Sequence, residues 1–264
     1  MNFLEALILG LVQGLTEFLP VSSSGHLELG TAILGINVSD NLLFAVIVHA
    51  ATALSTITIF RNDIAILIKD TLLFKWNQST EYVFKLAISM IPVGIVGLFF
   101  EDEINQFFGA KVTFVGSMLI LTSILLSFTY LNKSHTRSIS FTSAFWIGLA
   151  QAVAVLPGIS RSGATIATAL LLKTDKEEAT RFSFLMVLAP ILGATALKFK
   201  DYLNNPAASE EIPALSLIIG FFAAFLSGLL ACRWMMTIVK KGKLIYFASY
   251  CFVIGTIAII SQIK

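Results

Sequence analysis

The sequence predicts an all-α integral membrane protein built as two inverted-topology repeats, with six transmembrane helices and two re-entrant helix pairs. Three observations lead there. Of 264 residues, 56% are hydrophobic and only 13% charged, at a mean hydropathy of +0.86, whereas a soluble domain carries about 25% charged residues. Two apolar stretches are each interrupted by a break rich in Pro, Ser and Gly, one after Leu19 and one after Leu156. One constant shift then lays the first half on the second. It places Gly10 on Gly148, Gln13 on Gln151, Ser22 on Ser160, Ser24 on Ser162 and Gly25 on Gly163, while Pro20 and Pro157 miss by one position.

Residues 3–19 are apolar but fall short of the roughly 20 needed to cross a bilayer. Another short apolar piece, 27–36, follows the break. The stretch 3–36 therefore reads as a re-entrant hairpin, which is tolerated where protein or a water cavity covers its backbone. Residues 41–60 read as a full span ending at Arg61. The segment 61–80 mixes Ile64, Ile66, Leu67, Ile68 and Leu72 with Arg61, Asp63, Lys69 and Asp70, the pattern of an interfacial helix. Spans at about 81–100 and 112–131 flank the acidic turn Glu101-Asp102-Glu103, which reads as a solvated loop. The second repeat follows the same order, with a hairpin over about 141–173 and spans near 182–199, 214–233 and 244–262. Repeat one is 1–131 and repeat two 132–264. No polar stretch is long enough for a soluble domain, so 1–264 is a single membrane domain.

If each hairpin returns to its own side, the chain crosses six times. One side then collects most of the basic residues, Arg61, Lys69, Lys133, Arg137, Lys173 and Lys241 among them. The other receives Lys111, Lys198, Lys200 and Lys264 with most of the loop acids. The basic side is expected to be cytoplasmic, so the first hairpin enters from outside and the second from inside. Interrupted helices at matching positions of inverted repeats mark a binding site near the bilayer midplane. Met1-Asn2-Phe3-Leu4-Glu5 lacks the basic start of a cleavable signal peptide. Cys232 and Cys251 fall in apolar segments and read as small buried side chains. A net charge of +2, with no basic run carrying interleaved aromatics, gives no nucleic-acid partner. Membrane lipids are the expected surroundings, and the oligomeric state stays open, a homodimer included.

The chemistry concentrates in the two breaks. The stretch Gly10–Leu27, GLVQGLTEFLPVSSSGHL, places Gln13 and Glu17 on one helix face, one turn apart, and then supplies Ser22, Ser23, Ser24 and His26. The second break supplies Ser160, Arg161, Ser162 and Thr165. A charge at bilayer depth costs about 2.5–3.5 kcal/mol on insertion scales, so such residues are rarely there for stability. Each break leads into a short helix whose N-terminal N–H groups favour an anion. Arg161 is permanently charged and suited to bidentate phosphate contacts. Two helix N-termini, an arginine and several hydroxyls in low dielectric describe a phosphate or diphosphate site. Glu17 is excess negative charge in such a site unless it acts as a base or binds a divalent cation, Mg²⁺ or Ca²⁺, with substrate oxygens and water completing the shell.

These residues also carry a family resemblance. GLVQGLTEFLPVSSSGHL resembles the (E/Q)xxxE segment and Ser-Ser-x-Gly-His run of bacterial undecaprenyl-diphosphate phosphatases, and PGISRSGAT resembles that family's PGxSRSxxT signature. Arg181-Phe182-Ser183-Phe184-Leu185 is similar as well, and the likeness extends over the whole chain. The resemblance implies hydrolysis of the C55 isoprenyl diphosphate to its monophosphate in the bacterial cytoplasmic membrane, recycling the lipid carrier of cell-wall (peptidoglycan) synthesis and giving bacitracin resistance. It also implies a site opening to the outer face. Ser23 matches the proposed nucleophile. Glu17 is then expected to orient or deprotonate Ser23 or to hold the metal, and His26 to protonate the leaving phosphate or orient the serine. Arg161, Ser160 and Thr165 would clamp the phosphates, with Gln13, Ser22, Ser24 and Ser162 as further substrate contacts. Many members carry Glu where this chain has Gln13. Attack by a metal-bound water is the alternative, with Ser23 as a phosphate contact.

Plainer readings stand beside these. Ser22 and Ser24 can cap the following helix, His26 can be a structural donor, and Arg161 can pair with Glu17 alone. His49 reads as a packing or hydrogen-bonding residue, Gln151 as a relic of the repeat, and His135 carries no weight. Two other functions compete. Ser24-Gly25-His26 is similar to the Ser-Gly-His of phosphohistidine lipid phosphatases, but their KxxxxxxRP and SRxxxxxHxxxD segments are not found. A transporter or flippase of a polyprenyl phosphate lipid also fits inverted repeats with broken helices. Release of inorganic phosphate separates it from a hydrolase.

Overall fold

Every long element among the described residues is a helix, and the only other pairing there is an isolated bridge between Arg137 and Thr174. The structure is a computed structural model and describes residues 1–36, 42–109, 111–131, 136–204 and 212–262. Lys133, His135 and Lys264, used above for charge and loop assignments, lie outside the described residues. The chain order is α1 (Phe3–Phe18), α2 (Ser23–Leu34), α3 (Leu42–Ile59), α4 (Arg61–Thr71), α5 (Gln78–Phe99), α6 (Glu101–Asn105) and α7 (Val112–Phe128). There follow α8 (Phe141–Val153), α9 (Arg161–Leu171), α10 (Lys176–Met186), α11 (Leu188–Asn204), α12 (Ala214–Lys240) and α13 (Ile245–Ser261).

Local chemistry sets the ends that shape the breaks. Helix α1 opens on a capping box, in which the Asn2 side chain accepts from the Leu4 and Glu5 amides and Glu5 reaches back to the Asn2 amide. It stops at Leu19, which takes extended backbone (φ −71°, ψ 143°) because the following Pro20 disfavours the helical region. Ser22 caps α2 and Ser160 caps α9. Helix α2 ends on Gly35 in the left-handed region at φ 68°.

Among the described residues three helices are long and apolar enough to cross a membrane: α5, the composite Lys176–Leu197 of α10 with most of α11, and α12; α3 with α4 makes a fourth if that pair, bent by 76°, is one span. Helices α7, α8 and α13 are shorter apolar helices. This is a multi-pass membrane protein. The segment read as one span near 182–199 is broken at Val187. The cause is Pro190, which has no N–H for the carbonyl of Met186 and whose ring crowds it, so α10 ends there. The expected interfacial helix is shorter than 61–80, ending at Thr71, and the acidic turn forms the short exposed helix α6.

Helices α1 and α12 pack together, as do α8 and α5, α7 and α13, and α3 and α12. Small residues let the backbones approach, as expected where lipid removes the hydrophobic drive for association. A Cβ on Gly10 would meet the Gly220 carbonyl at 2.6 Å, and one on Gly116 would meet the Gly255 carbonyl at 2.8 Å. The short helices α2 and α9 are lodged inside this frame, α2 on α1 and α7, α9 on α8, α7 and α10. The largest core cluster runs through Phe18, Ile147, Ile166, Phe182 and Met235. Both breaks therefore sit inside the molecule and present their polar groups to each other.

Candidate active site

The first break is tightly turned. The Val21 amide donates to the Leu19 carbonyl (2.7 Å), closing a turn centred on Pro20. Ser22 follows at φ 69°, ψ 98°, a region that costs a non-glycine residue about 1–3 kcal/mol and persists only where surroundings enforce it. Here the Ser22 carbonyl takes two donors from His26, the amide at 3.0 Å and Nδ1 at 2.9 Å. The second break turns at Gly158, φ 97°, where a Cβ would also run into the Val115 carbonyl. Thr122 of α7 braces it, donating to the Gly158 carbonyl (3.1 Å) and accepting from the Ser160 amide (3.1 Å).

The two breaks touch. A Cβ on Gly25 would lie 3.0 Å from Gly158 Cα, and one on Gly163 would lie 3.3 Å from Pro20 Cβ. Ser162 Oγ donates to the Leu19 carbonyl at 3.1 Å. At the centre, Arg161 Nη2 donates to Glu17 Oε1 at 2.5 Å, while Glu17 Oε2 accepts from Ser23 Oγ at 2.6 Å and from Gln13 Nε2 at 3.0 Å. The Glu17 side chain is 6% exposed and that of Arg161 26%, so the guanidinium keeps an open edge. Ser23 and Arg161 are the first residues of α2 and α9. The positive ends of both helices are therefore brought to one place.

Other sequence-chosen residues are present but occupied with the scaffold. Ser22 Oγ accepts from the Gly25 amide (3.2 Å) and Ser160 Oγ from the Gly163 amide (3.0 Å), each 3.3–3.4 Å from a second hydroxyl, Ser24 or Ser162. Thr165 Oγ1 donates back to the Arg161 carbonyl at 2.9 Å. His26 does not reach Ser23; its Nε2 lies 2.8 Å from Tyr250 Oη, a residue sequence reasoning passed over because one tyrosine in an apolar helix gives no signal. His49 stands close enough to Glu17 to interact with it electrostatically, and its Nδ1 is held by the Ala45 carbonyl at 2.8 Å. Gln151 is buried on α8, and its side-chain oxygen and nitrogen have no hydrogen-bond partner.

Oxygen donors for a cation are limited. Among the described residues there is no group of three or more His, Cys, Asp or Glu side chains able to hold a metal. What the site offers is Gln13 Oε1, buried without a partner beside Glu17, together with Glu17 and the serine hydroxyls. One carboxylate and one amide oxygen, with phosphate oxygens and water to complete the shell, is a donor set that suits a hard divalent cation.

A family model described as bacitracin resistance protein BacA matches residues 6–257. The chain belongs to that family. It is 54% identical, over 100% of both chains, to an undecaprenyl-diphosphatase of Bacteroides fragilis and equally to one of Bacteroides thetaiotaomicron. At 39% identity over 97% of both chains it matches an undecaprenyl-diphosphatase of Salinibacter ruber. The stretches around Glu17 and around Arg161, which carry the resemblance, are the two breaks that the fold brings into contact.

Proposed function

We propose that the chain hydrolyses undecaprenyl diphosphate to undecaprenyl phosphate and inorganic phosphate, at the place where the two breaks meet. The observation that carries this is the Ser23–Glu17–Arg161 chain of hydrogen bonds at two buried helix N-termini. Relatives that carry the undecaprenyl-diphosphatase name match this chain from end to end, which supports the substrate.

The roles follow from the geometry. The diphosphate lies against the N–H groups opening α2 and α9, with the open edge of Arg161 on the terminal phosphate. Glu17 Oε2 takes the Ser23 proton as Ser23 Oγ attacks the terminal phosphorus. The bond from that phosphorus to the bridging oxygen breaks, and undecaprenyl phosphate leaves with the electron pair. Water then cleaves the phosphoseryl bond and releases phosphate. A serine alcohol needs such a base to be a useful nucleophile. A preorganised donor such as Arg161 supplies about 3–4 kcal/mol where charge develops. Gln13 Oε1, Glu17 and the serine hydroxyls would hold a divalent cation, Mg²⁺ or Ca²⁺, which when bound neutralises phosphate charge. Gln13, Ser22, Ser24, Ser160, Ser162 and Thr165 shape the cradle, mostly by fixing backbone.

The architecture we infer is two inverted repeats, 1–131 and 132–264, with hairpins at about 3–36 and 141–173. Six crossings are then α3, α5, α7, α10 with α11, α12 and α13. Reciprocal contacts support this reading: Gly25 meets Gly158 while Gly163 meets Pro20, and Gly116 and Gly255 face each other. Helices α7 and α13, at 17 residues each, are about 26 Å long, a little under the bilayer core. In this reading the chain lies in the bacterial inner membrane with its site opening outward; the charge asymmetry of the loops supports a cytoplasmic basic side. The prenyl tail lies between apolar helix faces, in contact with membrane lipid.

The experiment is phosphate release from undecaprenyl diphosphate by the purified chain in detergent, before and after EDTA. Release that stops with EDTA and returns with Mg²⁺ or Ca²⁺ is expected. No release with metal present would contradict hydrolysis and turn the question to lipid translocation in liposomes, where a carrier would still move polyprenyl phosphate.

A further inference from the structure

The first break is held from the far end of the chain. Helix α13 reaches it at three adjoining points. Val21 packs in one cluster with Cys251, Phe247 and Ile254. Cys251 Sγ lies 3.7 Å from the Pro20 carbonyl. Tyr250 Oη lies 2.8 Å from His26 Nε2, with the two rings stacked at 5.6 Å and 12°.

The direction of that last hydrogen bond is fixed by the other ring nitrogen. The Ser22 carbonyl can only accept, so His26 Nδ1 carries the proton in the bond to it. In the neutral ring Nε2 is then an acceptor, and the Tyr250 hydroxyl donates to it. The ring is pinned at both edges, by Tyr250 on one side and by the Ser22 carbonyl on the other.

We propose that Tyr250 is a positioning residue for the hydrolysis, acting through His26; this rests on the site proposed above. The Tyr250 hydroxyl sets the tilt and tautomer of His26. His26 Nδ1–H is one of two donors that hold the Ser22 carbonyl, and Ser22 sits at φ 69° immediately before Ser23. That strained peptide aims Ser23 Oγ at Glu17. Releasing the ring lets the Ser22 peptide relax and moves the nucleophile, and displacements near 1 Å cost about a hundredfold in rate. Tyr250 is 42% exposed, so the hydroxyl rather than buried ring area is what this position contributes.

The test is steady-state phosphate release by Tyr250→Phe, His26→Ala and the double variant, beside ¹⁵N NMR of the histidine rings. Tyr250→Phe keeps the ring and is expected to lower kcat about tenfold, the weight of one lost hydrogen bond, with KM unchanged. In the His26→Ala background the same substitution is expected to do nothing more, because Tyr250 acts only through that ring. The native protein should show His26 protonated at Nδ1, and Tyr250→Phe should move the Nε2 resonance. Native kcat in Tyr250→Phe would overturn the proposal, as would a loss of equal size in the His26→Ala background. Loss of the folded state in Tyr250→Phe would overturn it in favour of a structural role. Native activity in His26→Ala would overturn it as well, since Tyr250 acts only through that ring.

Discussion

Glu17 has three partners on two oxygens, and each tells something different about the residue. Arg161 balances its charge, Ser23 offers it a proton, and Gln13 leaves an oxygen of its own unsatisfied beside it. Removing Ser23 should matter most to chemistry. Ser23→Ala is expected to lower kcat by at least about 10³-fold while the protein stays folded, measured as phosphate release. Gln13→Leu is expected to raise the concentration of divalent cation needed for half-maximal activity, with kcat near native once the cation saturates; a cation titration after EDTA reads both. At this scale the sequence was informative about identity and poor about duty. The spacing of Gln13 and Glu17 put them on one face, and they bond as that face predicts. Ser22, Ser160 and Thr165 look the same as Ser23 in a sequence, yet their hydroxyls hold caps and carbonyls. Only the path of the backbone separates those duties. Tyr250 and the nearness of His49 to Glu17 were not legible at all, since both depend on helices packing across long separations in the chain.

The breaks themselves are the elements that matter, and their grammar is written locally. Pro20 ends α1, serines cap α2 and α9, and Gly158 takes a backbone conformation that side chains resist. Gly158→Ala is therefore expected to destabilise the protein by about 1–3 kcal/mol from strain alone, more with the blocked approach to Val115. Thermal unfolding in detergent would show a lowered Tm, and phosphate release would fall with it as Thr122 loses its hold on the turn. Elsewhere the same grammar was underread. Pro190 sits in a segment apolar enough to pass as one straight span, and prolines are tolerated in such helices, so the division at Val187 came only with the structure. The acidic run was legible as exposed, but not as the short helix its three first-turn carboxylates favour.

For the whole molecule, the repeat we infer rests on small and polar residues that recur at fixed positions in the sequence, supported by contacts among them that are reciprocal in space. What a sequence cannot supply is which helix of one half receives which helix of the other: α1 goes to α12 and α8 to α5. Orientation is the prediction that belongs here. With cysteine introduced singly, Glu103→Cys is expected to react with a membrane-impermeant maleimide in intact cells, and Lys241→Cys only after permeabilisation. Cys232 and Cys251, at 0% exposure, should stay silent. The opposite pattern would reverse the assignment of sides.

We infer that two breaks distant in the chain make one catalytic site. It is tested most directly by phosphate release from undecaprenyl diphosphate with Glu17→Gln and Arg161→Met, each checked for native unfolding behaviour in detergent. Each substitution leaves the other charge of a buried ion pair uncompensated, which costs about 3–5 kcal/mol of stability. The folded state is therefore checked first, and most of the side-chain volume is kept to add no cavity to that cost. Both folded variants are expected to lose about 10²-fold or more in kcat. Near-native release from either folded variant would contradict a single site built from both breaks.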